Sequence, residues 1–303
     1  MNSRQLHYAV LLSQHRSFSQ VAGILNITQP ALSKQILTLE EELGVKLFDR
    51  SSTPLSLTPA GEHFVREAKD ILYREEQLKR SMEDFHSDYR SRLTVGISPL
   101  RSLYYIPRII CRLKEEFPGL QIVLKEANST RLKQGVRDGS FDFAIMHLPV
   151  DELQMDTVPL KPEPLVLAVP NKLLALMEGS LDGPVSLSQC QRLPFVTVSP
   201  QQELRQLFDR LCIHAGVHPK ISVEVVSVAT AWAMARSGLG ATLLPLGFME
   251  DSHYREGITI FPLQHTATTR QPAVVTRKGQ FLSRFARRAI ELLADNSTPP
   301  DAL

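Results

Sequence analysis

No apolar run in this 303-residue sequence approaches the roughly 18 uninterrupted residues that a membrane-spanning helix needs. The opening "MNSRQLHYAVLLSQHRS" has neither the continuous apolar region nor the small-residue cleavage site of a signal peptide. A cytoplasmic protein without membrane contact is the expectation. Cysteine is scarce: the chain has three, Cys111, Cys190 and Cys212, widely spaced and without a CxxC pair. That excludes a disulfide framework and argues against structural zinc, leaving them as small buried hydrophobes or, alternatively, Cys190 and Cys212 as redox sensors. GxSxG, a glycine-rich phosphate loop, HExxH and cysteine–histidine pairs at a supporting spacing are all missing, so no enzyme chemistry is legible and neither cofactor nor metal is expected. Charge of one sign is also lacking, because 34 Lys and Arg against 32 Asp and Glu leave a formal charge of +2.

What is present is an ordinary globular composition, 43% hydrophobic and 22% charged, at a length that suits two or three domains. Residues 1–58 read as a compact helical unit. Leu6, Ala9, Val10 and Ser13 suit one helix, and "SFSQVAGILN" (Ser17–Asn26) a second, with Ser17 and Gln20 at capping-box spacing. In "TQPALSKQI" (Thr28–Ile36), Thr28 is an N-cap and Pro30 fits the first turn. Leu32, Ile36, Leu39 and Leu43 then recur as one apolar stripe ending at Gly44. Pro30, Ala31, Ser33 and Lys34 point away from that stripe, on a face with few charges. "VKLFDRSSTPLSLTP" (Val45–Pro59) holds two β-like runs around Ser51–Pro54, a hairpin or wing.

Two helices joined by a tight turn, the second with a small exposed N-terminal face, form a helix-turn-helix over residues 18–37. Its second helix enters the major groove, where Ser33 can bond a base or phosphate and Lys34 can reach guanine. The charge of residues 1–58 is low. Arg4, Arg16, Lys34, Lys46 and Arg50 stand against Glu40, Glu41, Glu42 and Asp49, five minus four, so a single copy binds polyanions weakly. Glu40–Glu42 is expected beyond the duplex. Residues 59–89 supply a partner: Phe64, Ala68, Ile71, Glu75, Leu78, Met82 and Phe85 are spaced four and three alternately, a heptad seam for dimerisation.

From Leu93 onward, strands alternate with helices. Strands are expected at "LTVGI", "QIVLKEA", "FDFAIMH", "PLVLAVP", "FVTVS", "ISVEVVS", "ATLLP", "GITIFPL" and "PAVVTRK". Helices are expected around Leu103–Phe117, Arg131–Asp138 and Phe281–Ala294. This alternation predicts mainly parallel sheets in a two-lobed α/β domain of residues 90–303, with lobe 1 at about 93–163 and 265–303 and lobe 2 at about 164–264. Ligands of such domains bind at strand carboxyl ends between the lobes. The strand exits carry Ser98 with Arg101, Asn128–Ser129–Thr130, His147, Ser199 with Gln201, and Ser227 with Thr230. Arg101 is a candidate anion clamp, whereas Trp232 reads as a packing residue.

The run "SFSQVAGILNITQPALSKQILTLEEELGVKLFDRSSTPLSLTPAGEHF" (Ser17–Phe64) closely resembles the LysR-type transcriptional regulators, and "RSGLGATLLP" (Arg236–Pro245) resembles the family's late glycine-rich signature. The resemblance extends over the whole chain. It implies an α+β multi-domain protein with a winged helix-turn-helix, a long dimerisation helix and a two-lobed effector domain similar to type 2 periplasmic binding proteins. It places DNA contacts on Thr28, Gln29, Pro30, Ala31, Ser33, Lys34 and Arg50, with Ser52 and Thr53 in the wing. It implies double-stranded DNA, RNA polymerase and a small organic anion as partners, and a homodimer or homotetramer. Two departures stand out: Val21 replaces the first of the family's paired alanines, and Thr53–Pro54 occupy wing positions where many members have arginine. A cytoplasmic small-molecule binding protein is the competing class.

Overall fold

The computed structural model describes residues 1–83, 92–249, 257–264 and 269–295, which divide between two units, Met1–Tyr89 and Arg90–Leu303. In the first, α1 (Ser3–His15) starts at a reciprocal cap: Asn2 accepts from the Gln5 N–H while its own N–H donates to the Gln5 side chain, both at 3.0 Å. For α2 (Phe18–Leu25), only the forward half of the expected box forms, with Ser17 Oγ accepting from the Gln20 N–H. Asn26, at φ 53°, ends α2 in the left-handed conformation that asparagine tolerates, and the turn into α3 (Gln29–Leu43) is correspondingly tight. Tyr8, Ala9, Leu12, Val21, Ala22, Leu32, Ile36 and Leu39 make one core among these helices.

The apolar stripe of α3 departs from expectation at its end. Leu43 is exposed, and Glu40 takes the inward place with 2% exposure. Glu40 lies four residues beyond Ile36, so helical geometry puts it on the buried face. There its Oε1 accepts the backbone N–H groups of Leu47 and Phe48 at 2.8 and 3.1 Å, and Oε2 meets Arg50 Nη2 at 3.3 Å. Glu40 is therefore the anchor of the wing, β1 (Phe48–Asp49) antiparallel to β2 (Ser56–Leu57), rather than part of an acidic surface run.

The helix α4 (Pro59–Glu83) follows. A Cβ on Gly61 would come within 1.9 Å of the Leu47 carbonyl oxygen, so this position requires glycine for close backbone approach. The expected dimer seam is split. Ala68 is buried with Leu6, Val10 and Val65, and Phe64 packs half-buried on the same core, so both belong to their own unit. Glu75 is likewise held inside the unit, its carboxyl kept below the usual range by the Ser3 hydroxyl and by Lys79. Ile71, Leu78 and Met82 are exposed at 46, 62 and 51%; Phe85 lies outside the described residues. The reason is geometric: a 3.6-residue helix against α1 rotates the seam, so its first turns face α1 and later ones do not.

In the second unit, β3 (Arg92–Ile97), α5 (Pro99–Ser102), α6 (Ile106–Glu116), β4 (Gln121–Glu126), α7 (Ser129–Arg137), β5 (Phe143–His147) and β6 (Met155–Pro159) come first. β7 (Glu163–Pro170), β8 (Pro194–Val198), α8 (Glu203–His214), β9 (Lys220–Val225), α9 (Val228–Arg236), β10 (Thr242–Pro245) and β11 (Ile258–Pro262) follow. β12 (Thr269–Arg270), β13 (Pro272–Arg277) and α10 (Arg284–Ala294) complete it. The helix expected around Leu103–Phe117 is α6, and the short α5 precedes it. The strand β6 was not legible, being a largely exposed edge that ends in proline.

The first sheet runs β4-β3-β5-β13-β6. Alternation along β5 sends Phe143 and Ile145 to the face covered by α6 and α10, and Ala144 and Met146 to the face covered by α7. The second lobe packs β7, β8 and α8–α9 around Leu165, Leu167, Phe195, Phe208 and Trp232. Gly240 sits where a Cβ would be 2.6 Å from the Pro194 carbonyl.

Strand direction corrects the expectation of mainly parallel sheets. β3 is parallel to β4 and β5, and β8 to β9, but β13 is antiparallel to β5 and β6. β10, β11 and β12 are all antiparallel to β7. The βαβ rule governs local crossovers. A strand such as β13, which re-enters lobe 1 from lobe 2, arrives from the opposite end and runs the other way.

Truncating Glu40 leaves the Leu47 and Phe48 N–H groups and Arg50 without their acceptor. Glu40→Ala is expected to destabilise the N-terminal unit by about 3 kcal/mol in urea unfolding, and Glu40→Gln by about 1 kcal/mol, because the amide oxygen still accepts.

Candidate DNA interface and interlobe site

The first turn of α3 presents Thr28, Gln29, Pro30, Ala31 and Lys34 as exposed residues, with Ser33 half-buried beside them. Thr28 is committed to the helix start, its Oγ1 accepting from the Ala31 N–H. Gln29 Oε1 accepts from Ser19 Oγ at 3.0 Å and so ties α3 to α2. Lys34 extends from the bare face. Arg50 is placed by three contacts: Glu40, the Ser33 hydroxyl at 3.4 Å, and the Phe18 ring with its guanidinium 5.4 Å from the centroid. Arg50 therefore clamps the wing to α3, and with a side chain 40% exposed it can still present N–H groups outward. Ser33 accepts that bond, leaving its own O–H to donate.

In the wing, Ser52 Oγ is held by the Asp49 carbonyl and Ser56 Oγ, while Thr53 is exposed. Bonds from the Ser51 side chain and backbone keep Asp49 ionised below the usual carboxylate range, so the wing carries a persistent negative charge beside Arg50. The small cationic excess of this unit makes each exposed lysine or arginine matter for any polyanion.

In the second unit, sequence-derived candidates divide into two groups. Ser98, Arg101 and His147 are brought together. Arg101 is 6% exposed; its Nη1 donates to Ser98 Oγ at 3.4 Å and its Nη2 lies 3.6 Å from Glu163 Oε2. His147 Nε2 is 3.6 Å from the same oxygen. The others are separate from this cluster in their bonding. Asn128 caps α7 by accepting from the Arg131 N–H, with half-buried Ser129 and exposed Thr130 in the following turn. Ser199 Oγ donates to the Val225 carbonyl, and Gln201, Ser227 and Thr230 are exposed. Trp232 is buried, set edge-on against Phe248.

The centre of the cluster, Glu163, was missed from the sequence, as were Tyr104 and Arg270. Glu163 is 5% exposed at the first residue of β7. Arg270, its register partner on β12, donates from Nη2 to Oε2 at 2.7 Å, and the Tyr104 hydroxyl donates to Oε1. The available signal was an acid opening the otherwise apolar "EPLVLAVP". Burial, reinforced by Glu163, pushes the Tyr104 pKa far up, so it stays a donor. Burial, then Arg101 and Arg270, push His147 far below its ordinary 6.5, against a weaker opposing effect of the Gln271 backbone. His147 is neutral. Burial also pulls the Arg270 pKa down, with Glu163 opposing.

Residues 3–62 match the family described as "Bacterial regulatory helix-turn-helix protein, lysR family", and residues 86–298 match the "LysR substrate binding domain". The chain is similar to the helix-turn-helix transcriptional regulator YcgK of Bacillus subtilis, at 28% identity over 96% of this chain and 94% of the relative. It is 31% identical to a hydrogen peroxide-inducible genes activator of Dickeya chrysanthemi, over 98% of this chain and 94% of that one. Among solved structures, a cysteine-to-aspartate variant of full-length OxyR from Pseudomonas aeruginosa matches with a TM-score of 0.70 at 27% identity, covering 97% of this chain and 94% of the other.

Because native His147 resists protonation while the unfolded chain takes up a proton below pH 6.5, stability falls as pH drops through that value. Between pH 7.5 and 5.5 the wild type is expected to lose about 1.4 kcal/mol more than His147→Gln. Trp232 fluorescence during urea unfolding, the chain having one tryptophan, reads this difference.

Proposed function

Because the chain belongs to the LysR family of DNA-binding transcriptional regulators, we propose that it is a cytoplasmic, sequence-specific regulator switched by a small organic anion bound between the lobes of its second unit. The observation that carries the DNA half is the bare N-terminal face of α3. Pro30 and Ala31 let the backbone approach base edges, while Ser33 and Lys34 supply the bonds. Arg50 contacts phosphate from the base of the wing, with Ser52 and Thr53 alongside. A near-neutral unit needs two copies on DNA. Ile71, Leu78 and Met82, with Phe85 beyond, form the dimerisation surface of a homodimer or homotetramer. Effector binding alters the angle between the lobes, or between the subunits of a tetramer, repositions the paired α3 helices, and changes DNA bending and contact with RNA polymerase. For the effector, Ser98, Arg101 and His147 form the charged end of the site, and Asn128, Ser129, Thr130, Ser199, Gln201, Ser227 and Thr230 line its strand exits.

The likeness to hydrogen peroxide-inducible activators raises thiol sensing as the rival trigger. A thiolate is the reactive form. Burial pushes Cys190 and Cys212 both up to about 12, which makes them poor peroxide sensors; Cys111 is exposed. A bound metabolite is the reading this supports.

Genomic footprinting of the tagged protein identifies its operator. On that DNA, Lys34→Ala is expected to bind at least about tenfold more weakly, with the salt slope reduced by about one per subunit. Equal affinity would remove Lys34 from the groove. Cys190→Ala/Cys212→Ala is expected to keep its operator response to metabolite, and peroxide is expected to leave the wild-type footprint unchanged.

A further inference from the structure

The interior around Glu163 is out of charge balance. Among the described residues, two guanidiniums, Arg101 and Arg270, face one buried carboxylate. Arg270 takes it at 2.7 Å, and Tyr104 occupies its other oxygen. Arg101 is left 3.6 Å away, beyond hydrogen-bonding distance. Nε of Arg101 and Nε of Arg270 are both buried without a hydrogen-bond partner, and neither ring nitrogen of His147 makes a well-formed one. Glu203 acts on Arg270 electrostatically, but it is exposed at the start of α8. Glu126 is exposed as well and accepts from Ser102 Oγ. Being exposed, both offset a charge held in the interior only weakly, and an uncompensated guanidinium there is unfavourable far beyond an unpaired neutral group.

Resting on the effector reading above, we propose that Arg101, backed by Arg270 and Ser98, is the anchoring subsite for one carboxylate of the effector, carrying a single negative charge. One charge follows from the count, two cations less Glu163. A carboxylate follows from the donor shape, since the guanidinium fork of Arg101 matches two oxygens in a plane. Ser98, half-buried at the exit of β3, is where the cluster reaches the surface at the strand's carboxyl end. Glu163 fixes the orientation of both arginines and competes with the ligand for Arg101. It is a positioning residue.

The test uses the full chain and simple probes: formate and acetate titrated at constant ionic strength, with acetamide and sulfate as comparators, and unfolding followed by Trp232 fluorescence. Formate and acetate are expected to raise the midpoint and acetamide to leave it unchanged. In Arg101→Gln the apparent formate Kd is expected to rise at least tenfold. Arg101→Lys, which keeps the charge without the fork, is expected to fall between, and guards against misfolding of the glutamine variant. Glu163→Gln, which removes the competing carboxylate, is expected to bind formate about tenfold more tightly, an effect that a purely structural ion pair would not produce. Identical formate dependence in wild type and both Arg101 variants, or tighter binding of sulfate than of formate, would overturn the proposal. The underlying effector reading fails differently, through an operator footprint that ignores metabolite mixtures that shift the wild-type midpoint. A footprint that responds equally in wild type and Arg101→Gln leaves that reading standing and removes this subsite.

Discussion

A carboxylate withdrawn from water must be met by donors on both oxygens, and each unit of this protein is arranged around one that is. Glu40 gathers two backbone N–H groups and Arg50. Glu163 gathers Arg270 and Tyr104, with Arg101 and His147 close by. In both places the acid joins segments that apolar packing alone would leave loosely related. Glu40 ties the first strand of the wing to the helix that presents Lys34. Glu163, the first residue of β7, ties that strand to α5, the end of β5 and the short strand β12. The desolvation cost makes such contacts specific, since the carboxylate is tolerated only in the arrangement that supplies every donor.

That constraint shapes the functional surfaces. Arg50, engaged by Glu40, Ser33 and Phe18, cannot act as a freely swinging phosphate contact. Its outward N–H groups are held fixed in register with α3. The bareness of the α3 face follows from the same division: the acids that would repel a polyanion are turned inward at Glu40 or lie in later turns. On α4, the residues nearest α1 are absorbed into the unit's own core, so an apolar surface remains only from Ile71 onward.

In the second unit a surplus of buried cation stands apart from two cysteines whose thiols burial keeps protonated. Cys190 and Cys212 sit in the core built on β7 and β8, while two arginines and a neutral histidine converge on Glu163. The groups gathered at Glu163 are therefore charged and hydrogen-bonding in kind, which is what the proposed anion subsite draws on.

Most elements were legible in the residues because their signals are local. The stripe Leu32–Ile36–Leu39, the caps at Ser17 and Thr28, and the strand "FDFAIMH" each rest on a few neighbouring positions, where helix and strand periods decide burial. The winged helix-turn-helix was readable for the same reason, together with a long run of matched spacing. The most consequential misread features involve partners distant in the chain. Whether β13 runs parallel or antiparallel depends on a path through the other lobe. Whether Phe64 and Ala68 face a second copy or their own α1 depends on how two helices rotate against each other. Glu163 and Arg270 lie 107 residues apart, and their meeting is set by the pairing of β7 with β12. Which residues are apolar, capped or charged is written in the chain, because those properties belong to each residue and its near neighbours. Which charges leave water together is settled by packing, because burial belongs to the folded chain as a whole.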